Sequence, residues 1–152
     1  MKPRLDPVAV APHLVQAMLK LEETVQGAGL EKSLMHLVKT RASQLNGCAF
    51  CLHMHTADAR AAGESEARLY LLDAWRESSM YTDRERAALE WTEALTLLAQ
   101  THAPDAAYEK MKAAFTDAEQ VALSLLIGTI NTWNRLAVGF RAAHPNDVAQ
   151  AA

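Results

Sequence analysis

Alanine fills 29 of the 152 positions and isoleucine only two, an imbalance that narrows the available folds more than any other feature of the chain. Strong helix formers outnumber strand formers along nearly the whole length, so the expected class is all-α. Glycine and proline are sparse, six and five, and they fall where helices should break. Pro7 and Pro12 precede a run with Leu14, Met18, Leu21 and Val25 at helical spacing, which stops at Gly27-Ala28-Gly29. Leu34, Leu37, Val38, Arg41 and Leu45 repeat the pattern up to Asn46-Gly47, a pair that readily takes the left-handed conformation closing a helix. Ser65 can cap a short helix running toward Trp75. Thr82-Asp83-Arg84-Glu85 and Thr116-Asp117-Ala118-Glu119 read as capping boxes. The second opens the most apolar run, Val121 to Phe140, expected to be central or at a subunit contact. This punctuation gives about six to seven helices.

The length suits one domain over residues 1–152, with residues 145–152 expected as a frayed tail. Fifteen Lys and Arg against eighteen Asp and Glu leave a net charge of -3, and no basic run stands out. Nucleic acid and anionic membrane surfaces are therefore not expected partners. No apolar stretch approaches the roughly 18 to 20 residues of a membrane span. Met1 to Pro7 lacks the apolar core of a secretory signal, so the expected location is the cytoplasm.

The two cysteines, Cys48 and Cys51, form one C-x-x-C pair. A secreted disulfide scaffold would carry several pairs; a single pair in an otherwise cysteine-free chain points to redox chemistry or half a metal site. With a helix starting at or just before Cys48, the residues Cys48, Cys51 and His55 stand at i, i+3 and i+7 on one face, and His53 points elsewhere. Unpaired N–H groups in a first helical turn favour a thiolate, and an imidazole one turn on can exchange a proton with it. His36 lies about as far before the Asn46-Gly47 turn as His55 lies after it, so two helices folded back on each other bring the two side by side. Thr40 and Ser43 share the His36 stripe and offer a polar route toward the thiols.

The segment from Leu37 to Cys51, followed by His55 and by Asp58 to Gly63, resembles the AhpD-like alkylhydroperoxidase branch of the carboxymuconolactone decarboxylase superfamily. The likeness extends through Arg68-Leu69-Tyr70, Trp75-Arg76-Glu77, Tyr81 to Leu89 and Asn131 to Arg135, most of the chain. It implies an all-helical subunit, assembled as a trimer or hexamer, that reduces alkyl hydroperoxides with the cysteine pair and needs no cofactor. It also implies Cys51 as the residue oxidised to sulfenic acid, Cys48 as its resolving partner and His55 as the histidine that helps deprotonate the nucleophile. Electrostatics alone would favour the thiol nearest the helix start, so the two roles stay open on physical grounds. The family's relay carboxylate, twelve residues before the first cysteine, corresponds here to His36, and a histidine found inside some of the family's motifs corresponds to Phe50. The implied reductant is an external dithiol such as a lipoyl-bearing protein.

Plainer readings stand beside these. Two buried thiols can pack as small hydrophobes. Cys48, Cys51, His55 and His36 are zinc-donor types, although three on one helix stripe crowd a tetrahedron. The pair could serve as a redox-responsive contact in an oligomer without turnover, or the chain could be a decarboxylase of the lactone-acid kind. His53 reads as a solvated or interface residue, and His13, His102 and His144 sit near element ends. Trp91, Trp133 and Phe140 read as core or subunit contact before they read as a substrate pocket.

Overall fold

The structure, a computed structural model, describes residues 2–144. The expected tail at 145–152 lies outside the described residues. Every regular element among them is helical: α1 (Pro7–Val10), α2 (Pro12–Gln26), α3 (Lys32–Leu45), α4 (Ala49–Ala61), α5 (Glu66–Leu71), a 3-10 turn (Leu72–Ala74), α6 (Asp83–Thr96), α7 (Leu98–Thr101), α8 (Asp105–Ala114) and α9 (Asp117–Phe140). The expected six to seven helices correspond to the seven that have six residues or more. The additional pieces, α1 and α7, are single turns of four residues, too short to show a period in a sequence.

Local chemistry sets the boundaries. Thr82 and Thr116 accept from the backbone N–H of Glu85 and Glu119, whose carboxylates accept in return from the cap N–H groups. Both capping boxes are therefore closed. Backbone and side-chain hydrogen bonds from Thr116, together with Arg84, push the Glu119 carboxyl down to about 2. Ser65 caps α5 by accepting from the N–H of Arg68, and Pro12 occupies the first turn of α2.

Two helices share the centre of the fold: α3 packs against α4, α6 and α9, the expected central helix α9 packs against α2, α3, α4, α6 and α8, and each buries nine residues. Leu34, Met35 and Val38 meet Trp91 of α6, Met111 of α8 and Leu123, Leu126 and Ile127 of α9 in the main core. A smaller cluster joins Leu37, Leu72, Trp75, Tyr81 and Leu89. Truncating a fully buried leucine in either cluster to alanine costs about 2 to 5 kcal/mol. Between the clusters, the buried Arg41 guanidinium binds Glu93 at 2.8 Å and also Asp73, while the Trp75 indole N–H donates to the same Glu93 carboxylate at 2.8 Å. One face of α9 stays exposed, with Val121 at 60% and Leu125 at 45% of their free areas. No helix among the described residues is long and apolar enough to cross a membrane.

Candidate active site

The hairpin of α3 and α4 presents the cysteines. Asn46 ends α3, and Gly47 turns the chain at φ +62°, a value glycine adopts without the Cβ clash other residues suffer. The turn is anchored from behind. The Asn46 amide group donates to the Ala42 carbonyl at 3.0 Å and to the side-chain oxygens of Asn131 and Asn134 on α9, both at 2.9 Å. Asn134 in turn donates to Ser43 Oγ at 3.1 Å, and Asn131 to Thr96 Oγ1 at 3.0 Å. The start of α4 is thereby fixed to both helices beneath it.

Cys48 is the N-cap of α4, one residue outside the helix, and its sulfur accepts from the Cys51 N–H at 3.4 Å. The two cysteines are joined as a disulfide with Cα atoms 5.4 Å apart, and both are buried. His55 follows one turn after Cys51 and is only 5% exposed. Burial, reinforced by the Lys39 charge, pushes its pKa down to about 4, against the opposing pull of Glu22 and Asp58. The imidazole is consequently neutral near pH 7 and able to accept a proton.

Cys51 and His55 both line a cavity of about 520 Å3, and Cys48 does not. The walls are almost entirely apolar: Leu5, Pro7 and Val8 from the N-terminal segment, Leu19 of α2, Phe50 and Met54 of α4, and Trp133, Leu136 and Phe140 of α9. The N-terminal segment is tied to the end of α9 by Arg4, whose backbone N–H donates to the Phe140 carbonyl at 2.9 Å and whose guanidinium donates to the Gly139 carbonyl at 3.0 Å. Trp91 is core, as expected, and its indole N–H donates to Ser124 at 3.0 Å. Trp133 and Phe140 are half-buried and line the cavity. Helical spacing places a residue on a face but does not tell whether that face meets protein or an opening.

His36 stands in a different relation to the site. It is partly buried on α3, close enough to His55 for the two charges to interact, but it does not line the cavity. Burial holds its pKa below the usual histidine range, with Asp58 and Glu64 pulling the other way. The expected polar route is interrupted: Ser43 donates to the Lys39 carbonyl at 2.8 Å, and the fully buried Thr40 hydroxyl finds no hydrogen-bond partner among the described residues. His53 does point away from the cysteines; its ring meets that of His144 edge-on at 4.8 Å. Among the described residues, no three His, Cys, Asp or Glu side chains converge as metal ligands.

The residue the sequence left unnoticed is Glu22 of α2. Its carboxylate lines the same cavity, accepting from Lys39 Nζ at 2.5 Å and from the Trp133 indole N–H at 2.9 Å. Burial works to raise this carboxyl, but Lys39, Trp133 and Gln26 outweigh it and hold the group below the usual carboxylate range. Its signal was present: a carboxylate continuing the stripe of Val15 and Leu19 at helical spacing.

Residues 12–94, more than half the chain, match the profile of the carboxymuconolactone decarboxylase family. The chain belongs to that family. This carboxymuconolactone decarboxylase family member is 40% identical over 145 residues to YdfG of Bacillus subtilis, an uncharacterized protein, a match spanning 94% of this chain and 99% of that one. It superposes with a TM-score of 0.92 and 49% identity on the crystal structure of an Agrobacterium tumefaciens protein of unknown function, provisionally assigned to antioxidant defence as AhpD; 95% of this chain and 99% of that one are covered. The AhpD-like resemblance of the sequence thus holds for the fold as a whole. The debrominase Bmp8, at a TM-score of 0.77 and 15% identity over 91% of this chain and 75% of its own, shares the fold.

Proposed function

We propose that this protein is a thiol peroxidase that reduces organic hydroperoxides through a dithiol–disulfide cycle of Cys51 and Cys48. The observation that carries the reading is the asymmetry of the pair: Cys51 shares an apolar cavity with a neutral, buried histidine, and Cys48 caps the helix behind it. In the reduced form His55 takes the Cys51 proton, and the thiolate attacks the distal oxygen of the hydroperoxide. The O–O bond breaks, and the leaving alkoxide recovers a proton from His55. Cys51 is left as a sulfenic acid, which the Cys48 thiol condenses to a disulfide with loss of water. An external dithiol, such as a lipoyl-bearing protein, restores both thiols by exchange. The net reaction converts hydroperoxide and dithiol into alcohol, water and disulfide.

A cavity of this size and lining favours substrates with an apolar body. His36 belongs to the proposed site as a neighbour of His55 on α3 rather than through contact with substrate. The chemistry suits a reducing compartment such as the cytoplasm and an oligomer, trimer or hexamer, covering the exposed face of α9.

The test is consumption of cumene hydroperoxide by the reduced protein under excess dithiothreitol. Sustained turnover is expected, with Cys51→Ser inactive and Cys48→Ser accumulating a sulfenic acid trapped by dimedone. Loss of one equivalent and no more would overturn the peroxidase in favour of a redox-responsive module; full activity in Cys51→Ser would overturn the assigned nucleophile.

A further inference from the structure

Position 36 carries no carboxylate, yet a carboxylate does reach the cavity from another helix. Resting on the peroxidase reading, we propose that Glu22, fixed by Trp133 and Lys39, is the positioning carboxylate of the Cys51–His55 site. Three observations support it. Glu22 lines the same cavity as both residues. Its two oxygens are held separately, one by Lys39 Nζ at 2.5 Å and the other by the Trp133 indole N–H at 2.9 Å, so the charge is fixed in place. Lys39, on α3, is itself buried and has Glu22 as its ion-pair partner.

The groups that act on His55 come from each side of it. Glu22 from α2 and Asp58 from its own helix favour the imidazolium; Lys39 and His36 from α3 oppose it. Glu22 and Lys39 thus form a fixed pair whose two ends act on His55 in opposite senses. When His55 has accepted the Cys51 proton, the Glu22 carboxylate steadies the imidazolium until that proton passes to the leaving alkoxide. Lys39 keeps the imidazole neutral between cycles. Glu22 acts in this scheme through His55 rather than on the sulfur.

The discriminating measurement is the titration of His55 in the disulfide form, followed by NMR with labelled histidine. Lys39→Met is expected to raise the His55 pKa from about 4 by about one unit, the size of effect a single nearby charge produces. Adding Glu22→Gln to that variant is expected to bring it back down by about half a unit or more. A merely structural role for either residue would move His55 in the same sense in both variants. Equal values in Lys39→Met and the double variant, or a fall in Lys39→Met, would overturn the proposal. Glu22→Gln in the Lys39→Met background, which keeps an acceptor for Trp133 and leaves no buried ammonium unpaired, is expected to slow hydroperoxide-driven oxidation of Cys51 severalfold at pH 7 relative to Lys39→Met without further loss of thermal stability. Turnover without opposed shifts defeats the role of Glu22 alone; opposed shifts without turnover defeat the peroxidase and leave the charge pair standing.

Discussion

Replacing His55 by glutamine should remove a pH dependence of stability that this one residue creates. The imidazole falls from its ordinary 6.5 to about 4 in the folded protein, and at about 1.4 kcal/mol per unit that amounts to about 3 kcal/mol. The sign follows from proton counting. Between pH 6.5 and 4 the unfolded chain holds a proton on this histidine and the folded chain does not, so falling pH draws the equilibrium toward unfolding. The native protein therefore loses about 3 kcal/mol across that window on account of His55, and the loss levels off below pH 4. Glu22, Glu85 and Glu93, whose carboxyls are also depressed, add acid losses of their own in both proteins. The comparison cancels them. Urea unfolding of the disulfide form, followed by tryptophan fluorescence at pH 4, 5, 6 and 7, gives the difference directly. His55→Gln should be least stable relative to the native protein at pH 7, and the gap should close by about 3 kcal/mol on reaching pH 4. Parallel curves for the two proteins would refute the claim that burial keeps this imidazole neutral.

Asn46→Ala removes the amide donor that joins the hairpin turn to α9 and strands the buried Asn134 side-chain oxygen, while Asn131 keeps Arg135 as a donor; a loss of about 1 to 3 kcal/mol in urea unfolding is expected, and a loss below half a kcal/mol would show the turn held by other means. Phe140→Ala opens one wall of the cavity and should lower kcat/KM for cumene hydroperoxide about tenfold, more than for hydrogen peroxide; equal losses on both would argue against an apolar subsite. Light scattering at micromolar concentration should give the mass of a trimer or hexamer, and Leu125→Glu on the exposed face of α9 should reduce it; a monomer in the native protein would remove the oligomer from the scheme.

The helices were legible because their ends are written in short-range chemistry: two Thr-x-x-Glu boxes, Ser65, Pro12 and the Asn46-Gly47 stop all appear in the structure where the residues place them. The succession of Cys48, Cys51 and His55 was legible for the same reason, since α4 carries Cys51 and His55 and Cys48 caps it from one residue outside. What crosses between helices was not. Glu22 stands 26 positions before Cys48 and 111 before Trp133, and nothing in either neighbourhood announces their meeting. Nothing in the sequence marks Lys39 for burial, yet the middle of α3 is so enclosed that this lysine is buried, whereas Lys32 at the start of the same helix is exposed. The Asn46, Asn131 and Asn134 cluster escaped notice because each asparagine alone is an ordinary helix-end or helix-surface residue; their shared hydrogen bonds exist only once α9 lies across the turn.

The stretch that identifies the family, residues 12–94, contains the hairpin with both sulfurs and His55 but stops well short of Trp133 and Phe140, and it begins after Leu5 and Val8. The reactive machinery and the chamber around it are thus drawn from different parts of the chain, and most of the chamber comes from the two outer segments that frame the matched region. On the peroxidase reading, changes confined to those outer segments would alter which molecules fit the chamber and leave the cysteine pair where it is.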